Sequence, residues 1–303
     1  MNEILLSICI PTYNRVHCLR ELLPNVIAQC EREPGCECLV VDNCSTDATG
    51  GYVQEMAKGH PAMRYVCNES NIGGDRNFLR CIECAAGEYV WIFGDDDLLD
   101  KDGVHRIVSL IKEHPYVALI QCGGVEADAL YPDYRALLKA YWKANKEYAL
   151  HRSLISCNIF RKRDFDLGYA YAKLKTSYAH MFGLRAIFTS GKRPARGEAD
   201  SRTPGGQVMA VHGVVGVRSE REPFAAPVRF IRWKWGLFYL FLFRQTGLFR
   251  LLPLSMHNLF DRRNVKELRK YVKRRLRDRT APRFGRWIGK LEKLGSGGDR
   301  SVR

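Results

Sequence analysis

Three adjacent carboxylates, Asp95-Asp96-Asp97, follow the mostly apolar run Tyr89-Val90-Trp91-Ile92-Phe93-Gly94, and here the chain concentrates its capacity for chemistry. Carboxylates this close repel one another unless a cation sits between them, and a hard divalent ion bound by such oxygens commonly also holds substrate phosphates. The apolar stretch, bounded by Gly87 and Gly94, reads as a buried strand delivering the acids to its end. The same residues ahead of an amphipathic segment would equally serve as helix N-caps on a solvated turn.

Two further polar stretches carry groups that would complement a metal-bound phosphate. Asp42 ends the run Cys38-Leu39-Val40-Val41 and could accept hydrogen bonds from a base or ribose; Asn43-Cys44-Ser45-Thr46-Asp47 follows it. In Asn71-Ile72-Gly73-Gly74-Asp75-Arg76-Asn77, the glycines would let backbone approach a phosphate and Arg76 offers a planar cationic fork. Each stretch alone is also an ordinary turn or loop.

These residues need elements to position them. Leu5-Leu6-Ser7-Ile8-Cys9-Ile10 is a strand stopped by Pro11, Pro11-Thr12-Tyr13-Asn14-Arg15 a turn, and Leu19, Leu22, Leu23, Val26 and Ile27 recur at helical spacing. Residues 38–41, 63–66 and 89–93 give three more strands, and residues 78–85 a helix. Strand, loop and helix in succession predict βαβ units, so the fold class is α/β, and polar loops after successive parallel strands gather at the carboxyl edge of the sheet. Residues 103–114 form a helix pattern, 117–120 a strand, and 153–160 a strand returning to the sheet.

Four motifs in order, Ser7-Ile8-Cys9-Ile10-Pro11-Thr12-Tyr13-Asn14-Arg15, Val40-Val41-Asp42-Asn43-Cys44-Ser45-Thr46-Asp47, Asn71-Ile72-Gly73-Gly74-Asp75-Arg76-Asn77 and Gly94-Asp95-Asp96-Asp97, resemble those of the family 2 glycosyltransferases. The resemblance covers residues 5–120 and looks closest to the bacterial branch of abequosyl- and rhamnosyltransferases that build lipid-linked polysaccharide precursors. It implies a GT-A fold: a Rossmann-like, mostly parallel central sheet flanked by helices. It implies a nucleoside diphosphate sugar as donor, a lipid-linked saccharide or other polysaccharide precursor as acceptor, Mg²⁺ or Mn²⁺ as cofactor, and inversion at the anomeric carbon. By the same resemblance Pro11, Thr12, Tyr13 and Arg15 line the nucleotide pocket, and Asp42 with Asn43 faces the base. Asn71, Gly73 and Arg76 neighbour the ribose and diphosphate, and Asp95, Asp96 and Asp97 hold ribose and metal. Many relatives carry Asp-x-Asp-Asp, whose first position meets Gly94 here, as in the bacterial branch where Gly also precedes the acidic pair. Asp96 and Asp97 are then the matched pair, and a one-residue-shifted Asp-x-Asp over Asp95-Asp96-Asp97 is the other reading. Which carboxylate touches the metal stays open, with Asp97 taken as catalytic.

The resemblance places an acceptor-side helix at residues 176–188, where relatives carry a Glu-Asp pair before an Arg. Counting back from Arg185 reaches Tyr178-Ala179, so that carboxylate is missing. His180 beside it is the candidate base, since imidazole titrates near neutral pH; a further metal ligand or a structural histidine are the other readings. Asp164, Asp166 and Asp200 are rivals. Residues 191–206, rich in Gly and Pro among charges, read as a loop.

At 303 residues with 46% hydrophobic and 11% aromatic content, the chain is globular. Of the +15 net charge, +11 belongs to residues 261–303, where 16 Lys/Arg face five Asp/Glu. Just upstream, Trp235-Gly236-Leu237-Phe238-Tyr239-Leu240-Phe241-Leu242-Phe243 is far shorter than the roughly 20 apolar residues that span a bilayer. An aromatic segment followed by a basic tail suits seating on an anionic membrane surface; a core helix with a solvated tail is the other reading. The expected organisation is residues 1–125 as the nucleotide-sugar-binding half of one GT-A domain, 126–222 as its acceptor-side half, and 223–303 as a basic, helical, membrane-associating extension. No nucleic-acid-binding motif accompanies the basic charge, so no nucleic-acid partner is expected.

All eleven cysteines lie between Cys9 and Cys157. The start, Met1-Asn2-Glu3-Ile4-Leu5-Leu6, lacks a basic, long apolar leader, so free thiols in a reducing cytoplasm are expected, peripheral to the inner face of the bacterial cytoplasmic membrane. Cys81-Ile82-Glu83-Cys84 has no second ligand pair and reads as a helical core pair. Two other classes compete with the transferase: a sugar-nucleotide nucleotidyltransferase, which would show a Gly-rich loop directly after the first strand, and a non-catalytic membrane-associated nucleotide-sugar binder, which would lack a working base.

Overall fold

The computed structural model describes residues 4–123, 127–144, 155–174, 179–189, 207–212 and 214–216. Every described residue belongs to the first of two compact units, Met1–Pro223 with Arg244–Leu248. The expected extension, residues 223–303, and the expected loop, residues 191–206, lie outside the described residues.

Three strand–helix units open the chain: β1 Leu6–Thr12 and α1 Val16–Arg32, β2 Cys36–Asp42 and α2 Thr49–Gly59, β3 Met63–Cys67 and α3 Gly74–Cys84, leading to β4 Tyr89–Ile92. Every residue of β1, β2 and β4 is buried, as the continuous apolar runs require of strands covered on both faces. The apolar stripe on α1 is the one its spacing predicts, with Leu19, Leu22, Leu23, Val26 and Ile27 buried. Pro11 does not stop β1, which runs on to Thr12. The last β1–β4 pair is Cys9 with Ile92, so the N–H that Pro11 lacks falls beyond that ladder, while Pro11 still sits opposite Val41 of β2.

The chain continues through β5 Leu98–Leu99, α4 Gly103–Glu113, β6 Val117–Cys122, β7 Ala129–Tyr131, α5 Tyr134–Ala144, β8 Asn158–Arg161, the short helices α6 Leu167–Tyr171, α7 Ala179–Gly183 and α8 Arg185–Thr189, then β9 Gln207–Val211 and β10 Val215–Gly216. Eight strands form one sheet in the order β3-β2-β1-β4-β8-β6-β9-β7, and β5 pairs antiparallel with β10. Within the large sheet only β8 and β7 run against the rest, so it is mostly parallel. Because β8 enters the sheet between β4 and β6, residues on both sides of position 125 share one core. Trp91 and Phe93, edge to face at 5.3 Å, are fully buried at its centre.

Two expected elements are shorter than the sequence suggested. Ahead of β8, Ile155–Cys157 forms a 3-10 turn instead of strand. There the Ser156 carbonyl accepts from Trp91 Nε1 at 2.8 Å and the Ser156 hydroxyl from Gly94 N at 2.8 Å, bonds that draw this backbone out of the ladder. The acceptor-side helix breaks at Leu184 into α7 and α8. Gly183 presses so closely on Phe165 that a Cβ would lie 2.0 Å from the ring, and its carbonyl accepts from Asp166 N at 2.8 Å instead of continuing the helix.

All eleven cysteines are free. Of the expected core pair on α3, Cys81 is buried, and burial pushes its thiol well above the ordinary range, whereas Cys84 at the end of the helix is only half-buried.

Candidate functional site

Strand order reverses between β1 and β4: from β1 the chain builds outward through β2 to β3, then returns to β1's other side as β4. The crevice outside the carboxyl ends at such a switch point is where open α/β sheets bind ligands. The loops after β1, β2, β3 and β4 all leave on this edge.

The first two loops are stapled together. Asn14, at φ 54°, accepts from Thr46 N at 2.7 Å and Asp47 N at 3.3 Å through Oδ1, while its own N–H donates to Ser45 Oγ at 2.8 Å. A short amide side chain tolerates this left-handed backbone better than most. Asp42 is 1% exposed. Its carboxylate accepts from Ser45 N at 3.0 Å, Ser45 Oγ at 2.6 Å and the Tyr65 hydroxyl at 2.9 Å. These donors satisfy a buried anion, and burial, with Cys67 and Asp42 alongside, raises the Tyr65 phenol. Asp42 therefore braces the loops after β1 and β2 from inside, and Tyr13, 42% exposed, is the flat surface presented outward.

The third loop hangs on a network of amides. Asn43 accepts from Ile72 N at 2.9 Å and Asn68 Nδ2 at 3.1 Å, and donates to Asn71 Oδ1 at 2.9 Å. Asn71 Oδ1 also accepts from Gly73 N at 2.9 Å, and Asn77, on α3, ties the network to the Val41 carbonyl at 3.0 Å. Asn43 and Asn71 are thus spent on holding the loop. That loop carries Gly73 at φ 85°, where an L side chain is strained, and opens α3; a Cβ on Gly73 or Gly74 would meet nothing within 4 Å. An unobstructed helix N-terminus with exposed Arg76 in its first turn favours an anion.

The acidic run closes the crevice beside them. Thr12 Oγ1 donates to Asp95 Oδ2 at 2.9 Å; Arg15 Nη1 lies 3.0 Å from Asp96 Oδ2 and 3.8 Å from Asp95 Oδ1. Asp97 accepts from the Ser156 hydroxyl. The Asp95 side chain is 13% exposed and that of Asp96 51%. Burial, outweighing Arg15 and Thr12, pushes Asp95 up to about 6. At Gly94, a Cβ would come within 2.8 Å of Asp97 Oδ2 and 3.3 Å of both Asp96 Oδ1 and Ser156 Oγ. A side chain here would require the Asp97 carboxylate to shift, because the carboxylates fold back over the bare backbone.

Among the described residues no group of three His, Cys, Asp or Glu side chains converges as a metal cage. Arg15 is shared between Asp95 and Asp96, while Asp97 turns to Ser156. The donor set nonetheless fits Mg²⁺ or Mn²⁺, which take hard oxygen ligands and are usually held by one or two carboxylates completed by substrate phosphates. A buried carboxylate whose charge Arg15 only partly offsets is suited to such a cation.

His180 is 5% exposed, on α7, its ring edge-on to Phe78 of α3 at 6.1 Å. Asp164 and Asp166 follow β8. Arg161, at the end of β8, sits opposite Tyr89 at the start of β4, so the following residues emerge on the edge away from Asp95. There Asp164 pairs with Arg161 at 2.6 Å, and Asp166 caps α6 and pairs with Arg185 at 3.3 Å. Asp200 lies outside the described residues. Sequence reasoning missed Tyr65 and Ser156: a tyrosine and a serine within strand-like runs carry no local signal.

The family model for glycosyl transferase family 2 matches residues 7–168. Abequosyltransferase RfbV of Salmonella typhimurium is 28% identical over 207 residues, 61% of this chain and 62% of its own length. Among solved structures, TarS 1-349 of S. aureus in complex with UDP-GlcNAc superposes with a TM-score of 0.57 at 15% identity, over 84% of this chain and 72% of that one. The mannosyltransferase PcManGT of Pyrobaculum calidifontis in complex with GDP-Man and Mn²⁺ gives 0.50 at 15%, over 96% and 79%. At these identities the solved structures establish the α/β fold alone, and it is the GT-A arrangement expected.

Proposed function

This chain belongs to glycosyl transferase family 2, and from that premise we propose that it transfers a sugar, with inversion, from a nucleoside diphosphate sugar to a lipid-linked saccharide or related polysaccharide precursor. The observation that carries this reading is the junction of four loops at the β1/β4 switch point: an exposed aromatic, an open helix N-terminus with Arg76, and a partly compensated acidic run, side by side.

Each group then has a task. Tyr13 offers a face on which a base can stack, and the loops braced by Asp42 and Asn43 shape its edge. The first turn of α3 and Arg76 receive the diphosphate. Asp95 and Asp97, with Asp96 at the rim, would hold Mg²⁺ or Mn²⁺, which when bound supplies charge stabilisation to the departing diphosphate. Arg15, paired with Asp96 and close to Asp95, is placed to contact phosphate oxygens. His180 accepts the proton of the acceptor hydroxyl as its oxygen attacks C1 from the face opposite the leaving diphosphate, which forms one C–O bond and breaks another in a single displacement.

Among the described residues no helix is long and apolar enough to cross a membrane. The aromatic segment at residues 235–243 and the basic residues 261–303 support peripheral seating on anionic lipid at the cytoplasmic face, where a lipid-linked acceptor would be met.

The test is turnover with a panel of nucleotide sugars and lipid-linked acceptors, alongside thermal shifts with and without Mn²⁺. Expected is one donor that raises the melting temperature in a Mn²⁺-dependent way and is consumed with acceptor, and an Asp97→Asn variant that folds but does not transfer. Donor binding without transfer or hydrolysis under any condition would leave a non-catalytic binder.

A further inference from the structure

We propose that Ser156 is a positioning residue for Asp97, fixing its carboxylate within the acidic run; this rests on the metal role proposed for Asp97.

Ser156 is fully buried in the 3-10 turn before β8, about sixty positions from the acids in sequence, and β8 brings it against β4. It touches the acidic run at both ends. Its hydroxyl accepts from Gly94 N at 2.8 Å and donates to Asp97 Oδ2. Its carbonyl accepts from Trp91 Nε1 at 2.8 Å, three residues before Gly94 in the same strand and turn. The hydroxyl is thus oriented by one bond and spends its single proton on the other, which is how an outer-shell group fixes a ligand carboxylate's rotamer.

Gly94 is the complement of this arrangement. A Cβ there would fall 2.8 Å from Asp97 Oδ2 and 3.3 Å from Ser156 Oγ. The bare backbone leaves room for the serine–aspartate bond, and a side chain at this position would push the Asp97 carboxylate aside. Gly94 and Ser156 form one device: position 94 carries no side chain, and Asp97 is held by a hydroxyl from the turn ahead of β8. A buried hydroxyl in a turn is often purely structural, so the test must separate holding the fold from holding the carboxylate.

The experiment compares Ser156→Thr, which keeps the hydroxyl, with Ser156→Val, nearly the same shape without it, and with Ser156→Ala. Mn²⁺ affinity in the presence of UDP or GDP is read by the electron paramagnetic resonance of free Mn²⁺, and the metal half-saturation of transfer is read separately from donor KM. Expected is Mn²⁺ affinity near the parent for Thr and about 10- to 100-fold weaker for Val and Ala. In the Asp97→Asn background the Val substitution should add no further loss, because its effect passes through the carboxylate. Equal Mn²⁺ affinity across Thr, Val and Ala would overturn the proposal. So would failure of Val and Ala to fold where Thr folds, which would assign Ser156 to stability, or an unchanged Val effect in the Asp97→Asn background. A parent chain that binds no Mn²⁺ with any nucleotide would instead overturn the metal role itself.

Discussion

Replacing Asp95 by Asn should make the metal-free protein more stable while abolishing transfer. Burial pushes the Asp95 carboxyl from 3.8 to about 6 despite Thr12 and Arg15. The fold therefore disfavours the anion by about 3 kcal/mol at neutral pH. The sign follows from the raised value: the fold favours the protonated carboxyl, so the stability it retains below pH 3.8 is lost as pH rises through about 6. Asn keeps an oxygen to accept from Thr12 Oγ1 and removes the charge. Part of the gain is returned, because Arg15, only 3.8 Å away, loses one of its two anions. A net stabilisation of about 1–3 kcal/mol remains, worth roughly 2–10 °C in melting temperature for a chain of this size. Thermal unfolding in EDTA at pH 7.5 and pH 4.5 measures it. The advantage should shrink about threefold at the lower pH, where the parent carboxyl is largely protonated. Mn²⁺ with a nucleoside diphosphate should narrow the gap at pH 7.5 by binding the folded parent. A variant less stable than the parent at pH 7.5, or equally favoured at both pH values, would refute the claim that Asp95 is an under-compensated buried anion.

Restoring the family pattern with Gly94→Asp should lower, not raise, Mn²⁺-dependent transfer, since the new Cβ meets Asp97 Oδ2 at 2.8 Å; gain of activity in a donor-saturated rate assay would contradict this. Asn43→Ala strips partners from Ile72 N, Asn68 and Asn71, costing about 1–3 kcal/mol. It should weaken donor binding by calorimetry more than it slows single-turnover transfer of bound donor. His180→Ala should cut turnover by about 100-fold or more with donor affinity held; loss confined to donor affinity would make His180 a binding or packing residue beside Phe78.

Several features were legible because they are local. The apolar runs at residues 38–41 and 89–93 forecast buried strands, the Leu/Val/Ile spacing from Leu19 forecast α1, and polar loops after successive strands forecast one functional edge. Periodicity encodes burial directly, and short motifs encode turns, so both survive in a single sequence. The family followed from the motif order. Pro11 misled because whether a missing N–H matters depends on which neighbour strand has already ended.

The division between what the amino-acid order determines and what the fold decides falls at the range of the interaction. Sequence alone placed Asp95, Asp96 and Asp97 at a strand end and Asp42, Gly73 and Arg76 beside them, because strand and loop geometry is set by neighbours in the chain. Only the tertiary structure decided what each group faces. Asp42 and Asn43 turn inward to brace loops, Asp95 is a buried acid under Arg15, and Ser156 arrives in the turn ahead of an antiparallel strand to hold Asp97. The same strand's direction carries Asp164 to the opposite edge, where it pairs with Arg161. Partners separated by tens of residues, and the direction in which a strand enters a sheet, are fixed by packing of the whole core, which no local pattern records.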